Sequence, residues 1–224
     1  MKDNLSAYNA NDYDNHINSV LPYYQEFHAQ IIDLVQVLNN NNNMQWLDTG
    51  CGTGTLAEKI IKNFENISLT LCDPSEKMLA IAKQKLSKYN TLKFINKSTQ
   101  DMQFENKFDV ITAVQAHHYL TMENRMKATQ RCYQALKKNG IYITFENIKL
   151  SSDISDTIAQ KRYENFLKSN GKTQDEIIAY LARRNREFFP ITIEQHTKLL
   201  KNCSFKTVDI LWTSYLQAGF FAVK

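Results

Sequence analysis

The stretch 44-MQWLDTGCGTGTL-56 decides the fold. A short apolar run, 44–48, feeds three alternating glycines, Gly50, Gly52 and Gly54. A helical pattern follows at 55–64, with Leu56, Ile60, Ile61 and Phe64 on one face. Strand, glycine turn and helix in that order open a βαβ unit.

Outward from this unit the alternation continues. ISLTLCD (67–73) reads as a strand, and Pro74-Ser75 opens a helix carrying Met78, Leu79, Ala82 and Leu86. A strand at 92–96, a turn at 97–106 and the near-continuous apolar FDVITAV (108–114) follow, the last suited to a buried parallel strand. Residues 122–137 read as a helix stopped by Asn139-Gly140, before the strand IYITFEN (141–147). Strands alternating with helices at this spacing predict an α/β fold, a doubly wound, Rossmann-like sheet with helices on both faces.

Two regions depart from the alternation. Upstream, apolar residues at helical spacing predict one helix over 19–38, followed by a solvated run of asparagines at 39–43. Downstream, 151–187 is polar, helical and dotted with aromatics, and reads as an inserted helical segment. A helix at 191–202 and two strands, 205–212 and 215–224, close the chain; so short a link between strands requires an antiparallel pair. The expectation is one domain, 1–224: a cap helix in 1–43, a core sheet in 44–150 and 188–224, and a helical lid in 151–187.

Composition narrows the class. The net charge of +4 comes without any block of five like charges, so no long electrostatic track for nucleic acid is indicated. Cys51, Cys72, Cys132 and Cys203 are far apart, and neither cysteines nor histidines have metal-ligand spacing, so no metal is expected. No apolar run is long enough for a bilayer, and the amino terminus is polar, which predicts a cytoplasmic protein with reduced thiols and no membrane partner. Oligomeric state is not legible.

The glycine turn limits its own ligand. A phosphate loop needs a lysine after its last glycine, and none follows Gly54. A dinucleotide fingerprint needs a third glycine where Thr55 stands. Asp48, at the carboxyl end of the strand, would repel a pyrophosphate and attract a cation, or else cap the turn itself. Asp73, at the end of the next strand, is placed to accept hydrogen bonds from two ribose hydroxyls. A nucleoside carrying positive charge meets both conditions, and S-adenosylmethionine is such a ligand.

WLDTGCGTGTLAEKI followed by LCDPSEKMLAIAK resembles the first two motifs of the class I S-adenosylmethionine-dependent methyltransferases. FDVITAVQAHHYL and ALKKNGIYITFEN are similar to that family's fourth-strand motif and fifth-strand turn. The leading NDYDNHINSVLPYYQEF resembles small members related to the carboxy-S-adenosylmethionine synthase and ubiquinone-methylase groups. The resemblance implies seven strands, the last antiparallel. It also implies that Gly50, Cys51 through its backbone, and Gly52 line the methionine end of the ligand, with Asp73 on the ribose and Pro74 and Met78 near the adenosine. Ser98, Thr99 and Gln100 would lie beside the adenine, Gln115 near the methionine part or substrate, and Tyr13 would close over the cofactor. Ser98 stands where many members have an acid.

His117-His118 is the candidate for a catalytic base, although transfer from a sulfonium can run on proximity and alignment without one. Tyr8, Tyr13, Tyr23 and Tyr24 could wall an aromatic pocket or pack a helix, and Arg183, Arg184 and Arg186 could meet an acidic substrate or form a solvated face. The leading reading is methyl transfer to a small molecule. Methylation of an RNA base is an alternative, and binding S-adenosylmethionine for non-methylating chemistry is another.

Overall fold

The computed structural model of the protein describes residue 6, residues 8–38 and residues 43–224; the asparagine run, save Asn43, lies outside the described residues. Its centre is a seven-stranded sheet in the order β3-β2-β1-β4-β5-β7-β6. The strands are β1 Met44–Thr49, β2 Ile67–Asp73, β3 Lys93–Asn96, β4 Phe108–Val114, β5 Leu136–Asn147, β6 Thr207–Ser214 and β7 Gln217–Val223. Strands β1 to β5 are mutually parallel, and β7 runs antiparallel between β5 and β6.

Residue alternation along each strand splits the core into two layers. Trp46, Ile141, Ile143 and Phe145 point to one layer, which α2 (Tyr24–Leu38) and α3 (Thr55–Asn63) cover with Phe27, Ile31, Leu56 and Ile60. Leu47, Tyr142, Phe220 and Ala222 point to the other, covered by α5 (Met122–Ala135) and α8 (Ile193–Asn202). Phe27 stacks on Phe145 with ring centroids 4.8 Å apart. The close approach needs Gly219 on β7, because a Cβ there would lie 2.5 Å from the Phe145 ring.

Helix starts follow from local chemistry. Ser75 accepts the Met78 N–H to start α4 (Glu76–Lys85), and Thr121 accepts that of Asn124 to start α5. Full capping boxes open α6 (Asp153–Ser169) at Ser152/Ser155, α7 (Gln174–Leu181) at Thr173/Glu176, and α8 at Thr192/Gln195. Helix α3 starts instead on Gly54 in a left-handed conformation, where a Cβ would crowd Leu86 and Ala82.

Three expectations are corrected. The single helix over 19–38 is two, α1 Tyr13–Val20 and α2, because Pro22 holds Leu21 extended and Tyr23 turns through φ 56°. Asn139-Gly140 does not stop α5, which ends at Ala135; it forms an irregularity inside β5, with Asn139 at φ 62°, where the register against β4 shifts. The last two strands lie two residues further on at their starts, because Tyr215 and Leu216 form the turn between them.

Candidate functional site

At the carboxyl ends of β1, β2 and β4 lies a cavity of about 320 Å³. That is the switch point of the strand order, where doubly wound sheets open a crevice. Gly50 and Gly52 form one wall, and Asp73, Pro74 and Met78 a second. Ser98, Thr99 and Gln100, in a short turn after β3, form a third, with Gln115 after β4 and Tyr13 from α1 completing it. The structure also brings in Ser75, Ala116, His117, Tyr119 and Leu120, which the sequence reading did not assign to the cofactor. Their signal was weak, since nothing in AHHYL separates pocket lining from packing.

Two expected residues are not in the lining. Asp48 is 2 % exposed beneath the turn, where Thr112 Oγ1 donates to its Oδ1 at 2.8 Å. Burial pushes its carboxyl up to about 7, opposed by that hydrogen bond. Cys51 is buried too, its backbone N–H donating to the Cys72 carbonyl at 3.1 Å, and burial pushes its thiol up. Both residues are buried, so neither is in the cavity lining.

The three glycines have different reasons. At Gly50 (φ 67°) a Cβ would lie 2.5 Å from the Ala116 Cβ, so this glycine makes room for protein. At Gly52 (φ 54°) a Cβ would meet nothing within 4 Å, so this one keeps open the space that a ligand would occupy. Asp73 ties the walls together: its Oδ2 accepts the Gly52 N–H at 2.9 Å and its Oδ1 the Ser75 N–H at 2.9 Å.

Tyr13 is held in place by its neighbour Asp14. Asp14 Oδ1 accepts from Thr53 Oγ1 at 2.6 Å, and its Oδ2 from Lys85 Nζ at 2.6 Å. The start of α1 is thereby fastened to the glycine turn and to α4.

The two histidines differ. His117 lines the cavity, with Nε2 3.2 Å from Thr99 Oγ1 and Nδ1 3.0 Å from the Tyr142 hydroxyl. Burial lowers its pKa to about 4, so it is neutral near pH 7. His118 is not among the lining residues; its Nδ1–H donates to Glu146 Oε2 at 2.8 Å, and Asn147 Nδ2 donates to its Nε2 at 3.2 Å. Burial lowers its pKa as well, against the pull of Glu146. Glu146, on β5, went unread in the sequence. It also accepts the backbone N–H groups of both histidines and the Thr144 hydroxyl. Buried Arg125 grips the same turn, Nε donating to the His117 carbonyl at 3.0 Å and Nη2 to the Phe189 carbonyl at 2.6 Å.

Further cavities continue from the first. A neck of about 30 Å³ shares Tyr13, Gln115 and Tyr119 with it, and adds Tyr8, Tyr180 and Arg183. Beyond the neck an open chamber of about 210 Å³ shares Tyr8, Val20, Tyr180 and Arg183. Of the tyrosines singled out in the sequence, Tyr8 and Tyr13 face these spaces. Tyr24 packs in the core and Tyr23 is exposed. Of the arginines, Arg183 lines the neck while Arg184 is buried in an ion pair with Asp156 at 2.9 Å. His196 is buried and stacked on Phe220 at 4.9 Å. Among the described residues, no cluster of ligating side chains could hold a metal ion, and no helix is long and apolar enough to cross a membrane.

Comparison with known proteins agrees with this geometry. A family profile described as a methyltransferase domain matches residues 47–140. The carboxy-S-adenosyl-L-methionine synthase of Staphylococcus epidermidis is 28% identical, the match covering 98% of this chain and 95% of that protein. A malonyl-[acyl-carrier protein] O-methyltransferase of Ilyobacter polytropus is 27% identical over 67% of this chain and 59% of its own. Among solved structures, phosphoethanolamine N-methyltransferase 2 of Haemonchus contortus, in complex with S-adenosyl-L-methionine, superposes with a TM-score of 0.69 at 15% identity, covering 96% of this chain and 56% of that one. Magnesium protoporphyrin IX methyltransferase of Synechocystis, with bound SAH, gives 0.66 at 14% identity, over 92% and 85% of the two chains. With the glycine turn, the strand-end carboxylate Asp73 and the strand order in place, the chain carries a match to a methyltransferase domain over residues 47–140 and is similar in sequence and fold to S-adenosylmethionine-dependent methyltransferases and to carboxy-S-adenosyl-L-methionine synthases.

Proposed function

We propose that the 320 Å³ cavity holds S-adenosylmethionine and that the protein transfers its methyl group, in line, to a small-molecule acceptor presented through the tyrosine neck. The observation that carries this reading is the charge of the wall. Asp73 is the one acidic residue among the described lining residues, and none of them is a lysine or arginine. Such a wall suits a cationic nucleoside and disfavours a pyrophosphate. When bound, S-adenosylmethionine supplies an electrophilic methyl group on a positively charged sulfur.

The chain's own residues supply binding and placement. Asp73 offers its carboxylate to the ribose hydroxyls, while its bonds to Gly52 and Ser75 hold it ready. Gly52 leaves room for the methionine part, and Thr99 and Gln100 flank the adenine end. Tyr13 closes the cavity from above, and the rings of Tyr8, Tyr119 and Tyr180 keep water from the neck. Helix α7 supplies Tyr180, so the inserted segment 151–187 acts as the lid on the acceptor side. No protein base is invoked. His118 has both ring nitrogens engaged away from the cavity, and proximity with alignment carries the rate.

The test uses S-adenosylmethionine carrying a ¹³C methyl group, incubated with the protein, a small-molecule extract and total RNA. The label should move to a small molecule as S-adenosylhomocysteine accumulates. Label found in RNA, or a protein that binds NADH and not S-adenosylmethionine, would overturn the proposal. A second reading is favoured by the end-to-end match to a carboxy-S-adenosyl-L-methionine synthase. In that reading the sulfonium compound keeps its methyl group and is itself modified. The same experiment separates the two, because the label would then stay in a heavier cofactor.

A further inference from the structure

The chamber beyond the neck is an apolar space at the outer end of the path to the cofactor cavity. Val20 from α1, Leu167 from α6 and Ile177 from α7, each 1 % exposed, form its floor. The two cations on its wall are each matched one helical turn on. Lys172 Nζ lies 3.3 Å from Glu176 Oε1, and Arg183 Nε lies 2.6 Å from Glu187 Oε2. These pairs cancel within the protein, so the wall offers no net charge to a ligand. Apolar surface, by contrast, gains roughly 25 cal/mol for each Å² removed from water.

We propose that this chamber binds the uncharged, apolar body of the acceptor, whose reacting end passes the neck between Tyr8 and Tyr180 toward the cofactor. The proposal rests on the reading that the 320 Å³ cavity holds S-adenosylmethionine. Size sets the class further. A cavity of about 150 Å³ is enough to take benzene, so 210 Å³ takes one six-membered ring or an aliphatic group of similar bulk. The neck, at 30 Å³, has room for the reacting group and not for the body. The acceptor class is therefore a small amphipathic molecule with one polar end, and not a polymer.

Ala179 gives a clean test, since it lines the chamber from the exposed side of α7 and contributes little to the core. Full-length protein saturated with S-adenosylhomocysteine is titrated by NMR with benzyl alcohol, and with glycerol as a polar control. Benzyl alcohol should bind and glycerol should not. Ala179→Trp, which fills the chamber, should weaken benzyl alcohol about tenfold or more, with S-adenosylhomocysteine affinity unchanged. Ala179→Phe serves the same purpose should the tryptophan disturb folding. No binding of benzyl alcohol to the wild type, equal binding of glycerol, or equal affinity in both filled variants overturns the proposal while the cofactor reading stands. Failure of S-adenosylhomocysteine itself to bind takes down the cofactor reading and this proposal with it.

Discussion

Glu146 Oε2 accepts both the backbone N–H and the ring Nδ1–H of His118, each at 2.8 Å. One carboxylate on β5 thus fixes the backbone and the ring of a residue on the turn after β4. Through the adjoining His117 and Tyr119 it sets one wall of the 320 Å³ cavity. Burial pushes the Glu146 carboxyl up, but His118, His117 and Arg125 together hold it below the usual range. Glu146→Gln should destabilise the protein by about 1–3 kcal/mol in urea unfolding, since an amide nitrogen then faces buried N–H and O–H donors that the carboxylate accepted. A change under about 1 kcal/mol would remove Glu146 from this role.

His118→Asn separates structure from base catalysis. With its ring nitrogens occupied by Glu146 and Asn147, turnover at saturating substrate should fall by less than about tenfold. A general base contributes about 100- to 10,000-fold, so a loss of that size would restore His118 as the base.

Asp73→Ala should raise the dissociation constant for S-adenosylhomocysteine about 10- to 150-fold, corresponding to about 1.5–3 kcal/mol for hydrogen bonds to a charged group. Calorimetric titration reads it directly. Unchanged affinity would take Asp73 out of the site.

The glycines should split by phenotype. Gly50→Ala forces a Cβ to within 2.5 Å of Ala116 and should lower thermal stability as well as cofactor affinity. Gly52→Ala meets no protein atom within 4 Å, so its stability loss should stay near the 1–2 kcal/mol of a left-handed residue, roughly, while affinity falls much further. Equal losses of affinity and stability at Gly52 would contradict the assignment.

Acid should weaken the fold through its buried histidines. Burial lowers the pKa of His28 to about 3 and of His117 and His196 to about 4, and lowers that of His118. Between those values and the unfolded 6.5 the unfolded chain binds more protons, so stability rises with pH across that window. Each neutral histidine should contribute about 1 kcal/mol per pH unit there. Urea midpoints from pH 7 down to 5 would show it, and a flat profile would contradict it. Glu146 acts lower down: its depressed pKa adds stability above the unfolded 4.5 that is lost as pH falls further.

Local signals carried most of the fold. Short apolar runs at 44–49, 67–73 and 108–114, each followed by a turn and a helical stripe, leave little choice but a parallel sheet. Glycines at 50 and 52 and an acid at 73 marked the cavity before any contact was known, because backbone freedom and a strand-end carboxylate are properties of single positions. The break at Pro22-Tyr23 was missed because helical spacing persists across it. The irregularity at Asn139-Gly140 was missed because a left-handed residue serves a helix end and a strand bulge equally well.

Side-chain partners were settled only in three dimensions. Asp48 and Asp73 both stand near the ends of adjacent strands, yet Thr112 takes the first into the core and Gly52 holds the second at the cavity. His117 and His118 are neighbours in the chain, but the turn sends one ring to the cavity wall and the other to Glu146 on β5. The strand–turn–helix order and the glycine turn follow from residues adjacent in the chain, because backbone conformation is set by near neighbours. Tertiary structure alone decided which charges are buried, which histidine lines the cavity and how the neck leads to an apolar chamber. Burial and pairing depend on residues far apart in sequence that meet only when the sheet is assembled.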